Sequence, residues 1–170
     1  MVAWRGGTRG AQGKVLACDI QSTVTVFPPN VEFHQEDVFR RSEAFERQLA
    51  ETGPFHVVMS DMAPQTTGTK FTDQARSLEL CLEALAVAEK YLVKGGSFVV
   101  KIFMGPDVGE LLKGMRPRFA RVTSFKPQSS RVESKETFFV GLGFKGKRRT
   151  APGIDCSRGP GYDPLPCLKV

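Results

Sequence analysis

FHVVMSDMAPQ, residues Phe55 to Gln65, decides the reading of this chain. A short apolar run ends on one carboxylate, Asp61, and is followed by a small residue, a proline and an amide. A continuous β-favouring run of this length reads as a strand buried inside a sheet. Ala63 and Pro64 force a turn directly after it, so Asp61 is delivered to the strand's carboxyl end.

Working outward, Lys14 to Ile20 (KVLACDI), Val31 to Asp37 (VEFHQED) and Ser97 to Phe103 (SFVVKIF) are runs of the same kind. Ala75, Leu78, Leu82, Leu85, Ala86 and Leu92 recur at three- and four-residue steps, which predicts a helix from about Thr72 to Val93, stopped by Lys94-Gly95-Gly96. A second helix is expected from about Asp107 to Arg116. Arg121 to Phe125 and Glu136 to Phe144 have only a loop between them and should pair antiparallel. The rhythm predicts an α/β fold: a mainly parallel, doubly wound sheet with an antiparallel C-terminal hairpin. From Lys145 the chain turns rich in Gly, Pro and charge, which predicts a domain over 1–147 and a disordered basic tail over 148–170.

With 170 residues and 41% hydrophobic residues the chain suits one domain with a sizeable core. A formal charge of +6 favours a polyanionic partner without proving one. Cys18, Cys81, Cys156 and Cys167 form no CxxC pair and have no histidine at ligand spacing, so no metal is expected and a reducing compartment is the default. The start, MVAWRGGTRGAQGK, has no apolar core of a signal peptide, and no stretch reaches membrane-spanning length. A cytoplasmic protein with no membrane contact, and a monomer, is the expectation.

Ligands of open α/β sheets bind at the carboxyl ends of the strands. Asp19, Asp37 and Asp61 each close a predicted strand, and Lys101 lies near the end of a fourth. A carboxylate after the second strand suits a ribose diol, because it can accept from two adjacent hydroxyls. Asp19 fits that task, and Asp37 could accept from an exocyclic adenine amine. Taken singly, a strand-end Asp most often caps a helix or stabilises a turn. Lys101 interrupts an apolar run, so its ammonium needs partners or an opening to solvent. Asp61 and Glu136 are the partners on offer.

SDMAP, then Gly68, Asp73 and Arg76, then GGSFVVKIF, KPQSSRVESKE and FFVGLGFKG, resemble the FtsJ (RrmJ) family of S-adenosylmethionine-dependent ribosomal RNA 2′-O-ribose methyltransferases, over roughly Lys14 to Lys147. The resemblance implies a Rossmann-like methyltransferase sheet and a Lys-Asp-Lys-Glu catalytic set. Asp61, Lys101 and Glu136 match its last three members, and Asp19, Asp37 and Asp61 match its cofactor residues. It implies S-adenosylmethionine as cofactor and ribosomal RNA or the large ribosomal subunit as partner, with a uridine of the large-subunit (23S) RNA the implied target.

The sequence also departs from the family. The glycine-rich LDLGxxPGxW loop, the strand before it and the first lysine of the set have no counterpart before Lys14. MVAWRGG resembles the start of the helix that follows that loop, so the chain reads as truncated and lacking its first strand. That strand belongs mid-sheet, between those ending at Asp19 and Asp61, and its loss should leave two edges unpaired or let them close together. Lys126, Arg131 and Lys135 are the expected RNA contacts. Of Phe138 and Phe139, which alternate faces, at least one should be core. The competing readings are a catalytically inactive RNA-binding remnant, a transfer-RNA or cap 2′-O-methyltransferase and, disfavoured by the lack of a GxGxxG turn, an NAD-linked oxidoreductase.

Overall fold

Seven strands form one sheet in the order β3-β2-β1-β4-β5-β7-β6 in the computed structural model, which describes residues 1–5, 13–126 and 136–146. The elements are β1 (Val2–Arg5), β2 (Lys14–Asp19), β3 (Val31–Gln35), α1 (Glu43–Thr52), β4 (Phe55–Ser60), α2 (Lys70–Tyr91), β5 (Leu92–Phe103), α3 (Val108–Arg118), β6 (Phe119–Phe125) and β7 (Glu136–Phe144). β2 pairs with β3 and β4 with β5 in parallel, while β7 is antiparallel to both β5 and β6. Five of the seven strands therefore run in one direction, and their carboxyl ends share one edge.

Two expectations need correction here. MVAWR is a strand, not the start of a helix: β1 lies antiparallel between β2 and β4, with Ala3 opposite Leu16 on one side and Val58 on the other. The mid-sheet slot is therefore filled, its edges neither open nor joined to each other. Val2, Ala3 and Trp4 are β-tolerant residues, and a central slot offers ladder partners on both sides, which outweighs any local helical tendency.

The doubly wound expectation needs a narrower correction: among the described residues, helices cover only one face of that plan. The three helices all lie on one face of the sheet. α1 packs Phe45 against His34 of β3, with ring centroids 5.0 Å apart, and its Glu46 reaches Lys90 and Tyr91 of α2 at 2.5 and 2.6 Å. The core lies between these helices and Leu16, Cys18, Val58, Phe98, Val100 and Ile102 of the sheet. The alternate residues, among them Val57, Met59, Val99 and Leu142, face away from it, and Met59 and Leu142 are 42% and 40% exposed. No helix among the described residues covers that face.

Smaller shifts follow from local geometry. β3 stops at Gln35, so Asp37 sits in the turn beyond it. α2 ends at Tyr91, and Lys94-Gly95-Gly96 lies inside the opening of β5, where the pairing with β4 slips between Phe55 and Val57 and Gly95 takes φ 86°. α1, for which no boundaries are predicted above, is started by Ser42, whose Oγ accepts from the Phe45 N–H at 3.1 Å.

Candidate active site

Asp61 follows the last residue of β4, Lys101 lies two residues before the end of β5, and Glu136 opens β7 at the same edge of the sheet. In the β5–β7 pairing Phe103 faces Glu136 and Lys101 faces Phe138. Lys101 and Glu136 are thus diagonal neighbours on one face, within reach of long side chains. Lys101 Nζ lies 2.9 Å from Asp61 Oδ1 and 3.6 Å from Glu136 Oε1. The Lys101 side chain is only 12% exposed, against 70% for Asp61 and 44% for Glu136. A buried stem therefore carries an ammonium into a notch whose carboxylate walls stand in solvent. The open face of the sheet gives that notch its access.

α2 fixes the backbone that carries Lys101. The β4 pairing runs out at Ser60, opposite Val100, because the chain turns away at Asp61. Beyond that point the β4-facing backbone groups of β5 need other partners. Cys81 Sγ–H donates to the Lys101 carbonyl at 3.1 Å, and the Phe103 N–H donates to Ser77 Oγ at 3.0 Å. Burial pushes the Cys81 thiol up to about 12, with a hydrogen bond to Ser77 pulling the other way, so the proton that makes this bond stays in place. Neither residue is predicted above. Their one legible signal is two small polar residues four apart on the apolar stripe of α2.

The turn after Asp61 is held in the same manner. Asp73 accepts from the Thr67 N–H at 2.7 Å and from Thr67 Oγ at 2.9 Å, and Gly68 takes φ 81° between them. The bond from the Thr67 N–H, with its hydroxyl adding to it, holds the Asp73 carboxyl below the usual range.

A cavity of about 550 Å³ opens beside Asp61, and its charged walls are Asp19, Glu36, Asp37, Asp61 and Glu79, with Arg76 the one cation. Asp19 Oδ1 accepts from the Gln21 N–H and Asp37 Oδ1 from the Phe39 N–H, each at 2.9 Å, so both carboxylates are aimed by their own turns. A larger groove of about 750 Å³ lies at the far end of the sheet. Its cations are engaged in structural ties: Arg118 pairs with Glu89 and donates to the Gly114 carbonyl, and Lys90 pairs with Glu46. The smaller cavity is the one adjoining the Lys101 notch. Of the expected RNA contacts, Lys126 stands exposed just past β6, while Arg131 and Lys135 lie outside the described residues, as does the 148–170 tail. Phe139 is core and Phe138 half-buried. Among the described residues no group of three or more His, Cys, Asp or Glu is placed to hold a metal, and no helix is long and apolar enough to cross a membrane.

The family model described as FtsJ-like methyltransferase matches residues 1–144. The chain belongs to that family. The match takes in β1, ahead of the Lys14 start suggested by the motifs. Ribosomal RNA large subunit methyltransferase E of Nitratidesulfovibrio vulgaris (strain Miyazaki F) is 73% identical over 137 residues, covering 81% of this chain and 68% of that protein. The protein of the same name from Lawsonia intracellularis is 64% identical over 136 residues, covering 80% and 68%. The crystal structure of a protein described as a ribosomal RNA methyltransferase from Plasmodium falciparum superposes with a TM-score of 0.64 at 24% identity, covering 78% of this chain and 72% of that one. That last likeness is one of fold. This FtsJ-like chain is thus a Rossmann-like methyltransferase sheet by both sequence and architecture.

Proposed function

We propose that this chain transfers a methyl group from S-adenosylmethionine to a ribose 2′-hydroxyl of ribosomal RNA, at a uridine of the large-subunit (23S) RNA, in the cytoplasm. The observation that carries the reading is the Asp61–Lys101–Glu136 cluster beside an acid-walled cavity, in a chain whose relatives are named for large-subunit ribosomal RNA methylation.

The cavity suits the cofactor by charge. Five carboxylates and one guanidinium favour a ligand carrying a sulfonium and an ammonium with a single carboxylate. Asp19 would take the ribose diol, Asp37 the adenine amine, and Asp61 would stand near the methionine end. The bound group supplies an activated methyl. The residues of this chain then have a positioning task, and orientation of this kind can contribute on the order of 7–11 kcal/mol. Lys101 would receive the ribose hydroxyl as base or steering group, while Asp61 and Glu136 hold its ammonium in one direction.

The test is transfer of labelled methyl to large ribosomal subunits and to their purified RNA, with titration calorimetry of S-adenosylmethionine alongside. Lys101→Ala should lower transfer on the order of 10²-fold or more while leaving cofactor heat in place. RNA binding with no cofactor heat and no transfer would overturn the reading and favour an inactive RNA-binding protein.

A further inference from the structure

We infer that the catalytic end of the sheet carries a stacking surface for unpaired RNA bases, built from Phe39, Phe71 and Phe125, each with an exposed cation next to it in the chain. The inference rests on the proposed function and deepens it by naming the state in which RNA is received.

The chain has thirteen phenylalanines, and three are more than half exposed: Phe39 at 53%, Phe71 at 69% and Phe125 at 57%. All three are at the end of the sheet that holds Asp61 and Lys101. Phe39 follows β3 and lines the cavity, Phe71 is in the first turn of α2, and Phe125 is the last residue of β6. The opposite end shows the contrast. Phe55 opens β4, Phe119 opens β6 and Phe144 closes β7, and these are 0%, 1% and 3% exposed. Among the described residues, the phenylalanine rings that are more than half exposed thus all lie at one end.

A single exposed apolar residue is ordinary on a protein surface. Here each ring adjoins an exposed cation: Arg40 after Phe39, Lys70 before Phe71 and Lys126 after Phe125. Flat π-surfaces interleaved with positive charge match a ligand that has π-faces and a polyanionic backbone, which is nucleic acid with its bases unstacked. An apolar protein partner would use the rings without needing the charges. The carboxylates Asp19, Asp37 and Asp61 wall the cavity that Phe39 also lines, so Phe71 and Phe125 are the two rings clear of them. β3 and β6 are the two edges of the sheet, six strand intervals or roughly 29 Å apart. Lys101 lies between them, so nucleotides on either side of the one receiving the methyl would find a ring.

The test measures binding of the full chain to an RNA hairpin with a fluorescent adenine analogue in its loop, and to the same sequence fully paired with its complement. Phe71→Leu and Phe125→Leu keep apolar bulk but remove the π-face. Each should weaken loop binding on the order of tenfold and leave duplex binding unchanged, and Phe→Trp at the same positions should restore it. Lys70→Gln and Lys126→Gln should weaken both RNAs and flatten the salt dependence by about one per lysine. Leu variants that bind the loop as wild type does, equal losses on loop and duplex, or a wild-type chain with no preference for the loop would each overturn the inference. Ring-dependent binding without methyl transfer would instead overturn the proposed reaction and leave this surface standing. Methyl transfer with ring-independent binding would do the reverse.

Discussion

Lys101 is useful only while its backbone stays still, because its ammonium is held by two carboxylates, one just past β4 and one opening β7. The Cys81 and Ser77 bonds supply that stillness where the β4 ladder has run out. Cys81→Val removes the donor with little change in volume and leaves a buried carbonyl unsatisfied, at a cost of about 1–3 kcal/mol. Where that cost appears as displacement of Lys101, kcat for methyl transfer should fall on the order of tenfold while KM for the cofactor holds, since the cavity walls are elsewhere. Cys81→Ser keeps a donor and should recover most of kcat. Equal kcat in the two variants would show that the thiol only packs. Lys101 was legible in the sequence because an ionisable side chain interrupting an apolar run announces itself, and Asp61 and Glu136 because they close and open the predicted strands beside it. Ser77 and Cys81 were not, because they act on backbone groups whose partnerless state depends on where a neighbouring strand ends.

At the level of elements, two contacts set how the pieces meet. β7 lies flat against β6 at Gly141, where an added Cβ would come within 2.7 Å of the Phe119 ring. Phe119 in turn stacks near Phe98 and Phe144, at 6.1 and 5.5 Å between centroids. Gly141→Ala must push this ring stack aside and should destabilise the chain by about 1–3 kcal/mol in chemical denaturation. An unchanged midpoint would mean that the stack yields freely. The second contact ties α1 to α2 through Glu46. Burial raises its carboxyl, but bonds from Lys90, Tyr91 and Arg41 outweigh that and hold it at about 2, against an ordinary 4.5. Because the folded value is the depressed one, this stability is present above about pH 4.5 and drains away as pH falls towards 2. The denaturation gap between wild type and Glu46→Gln should narrow over that window, and a constant gap would show that the tie contributes no pH-dependent stability. α2 was readable from its apolar period and the hairpin from its short link. The side of the sheet taken by the helices was not readable, since period reveals an apolar stripe and not which face it meets.

For the whole molecule the deciding feature is β1, four residues that join two halves of the sheet. β2 with β3 and β4 with β5 form separate parallel pairs, and the β1 ladders on both sides are what makes them one surface. This brings Asp19 and Asp61 to the same cavity, one from each half. Sequence patterning could not have given this, since four residues hold too little periodicity and strand order is set by non-local pairing. Met1 fastens the end of β1 to β2, its nitrogen donating to the Cys18 carbonyl at 2.7 Å and its carbonyl accepting from the Cys18 N–H at 2.8 Å. Ala3, 2% exposed, is the centre of the joint. Proline there removes a ladder donor from a central strand and should cost about 3 kcal/mol or more. Hydrogen exchange gives the sharper readout: in Ala3→Pro the amides of both β2 and β4 should lose protection together, and cofactor heat should weaken in step as the two carboxylates part. Protection lost on one side only would mean that the halves stand independently, and that the cavity does not depend on β1 to bring its walls together.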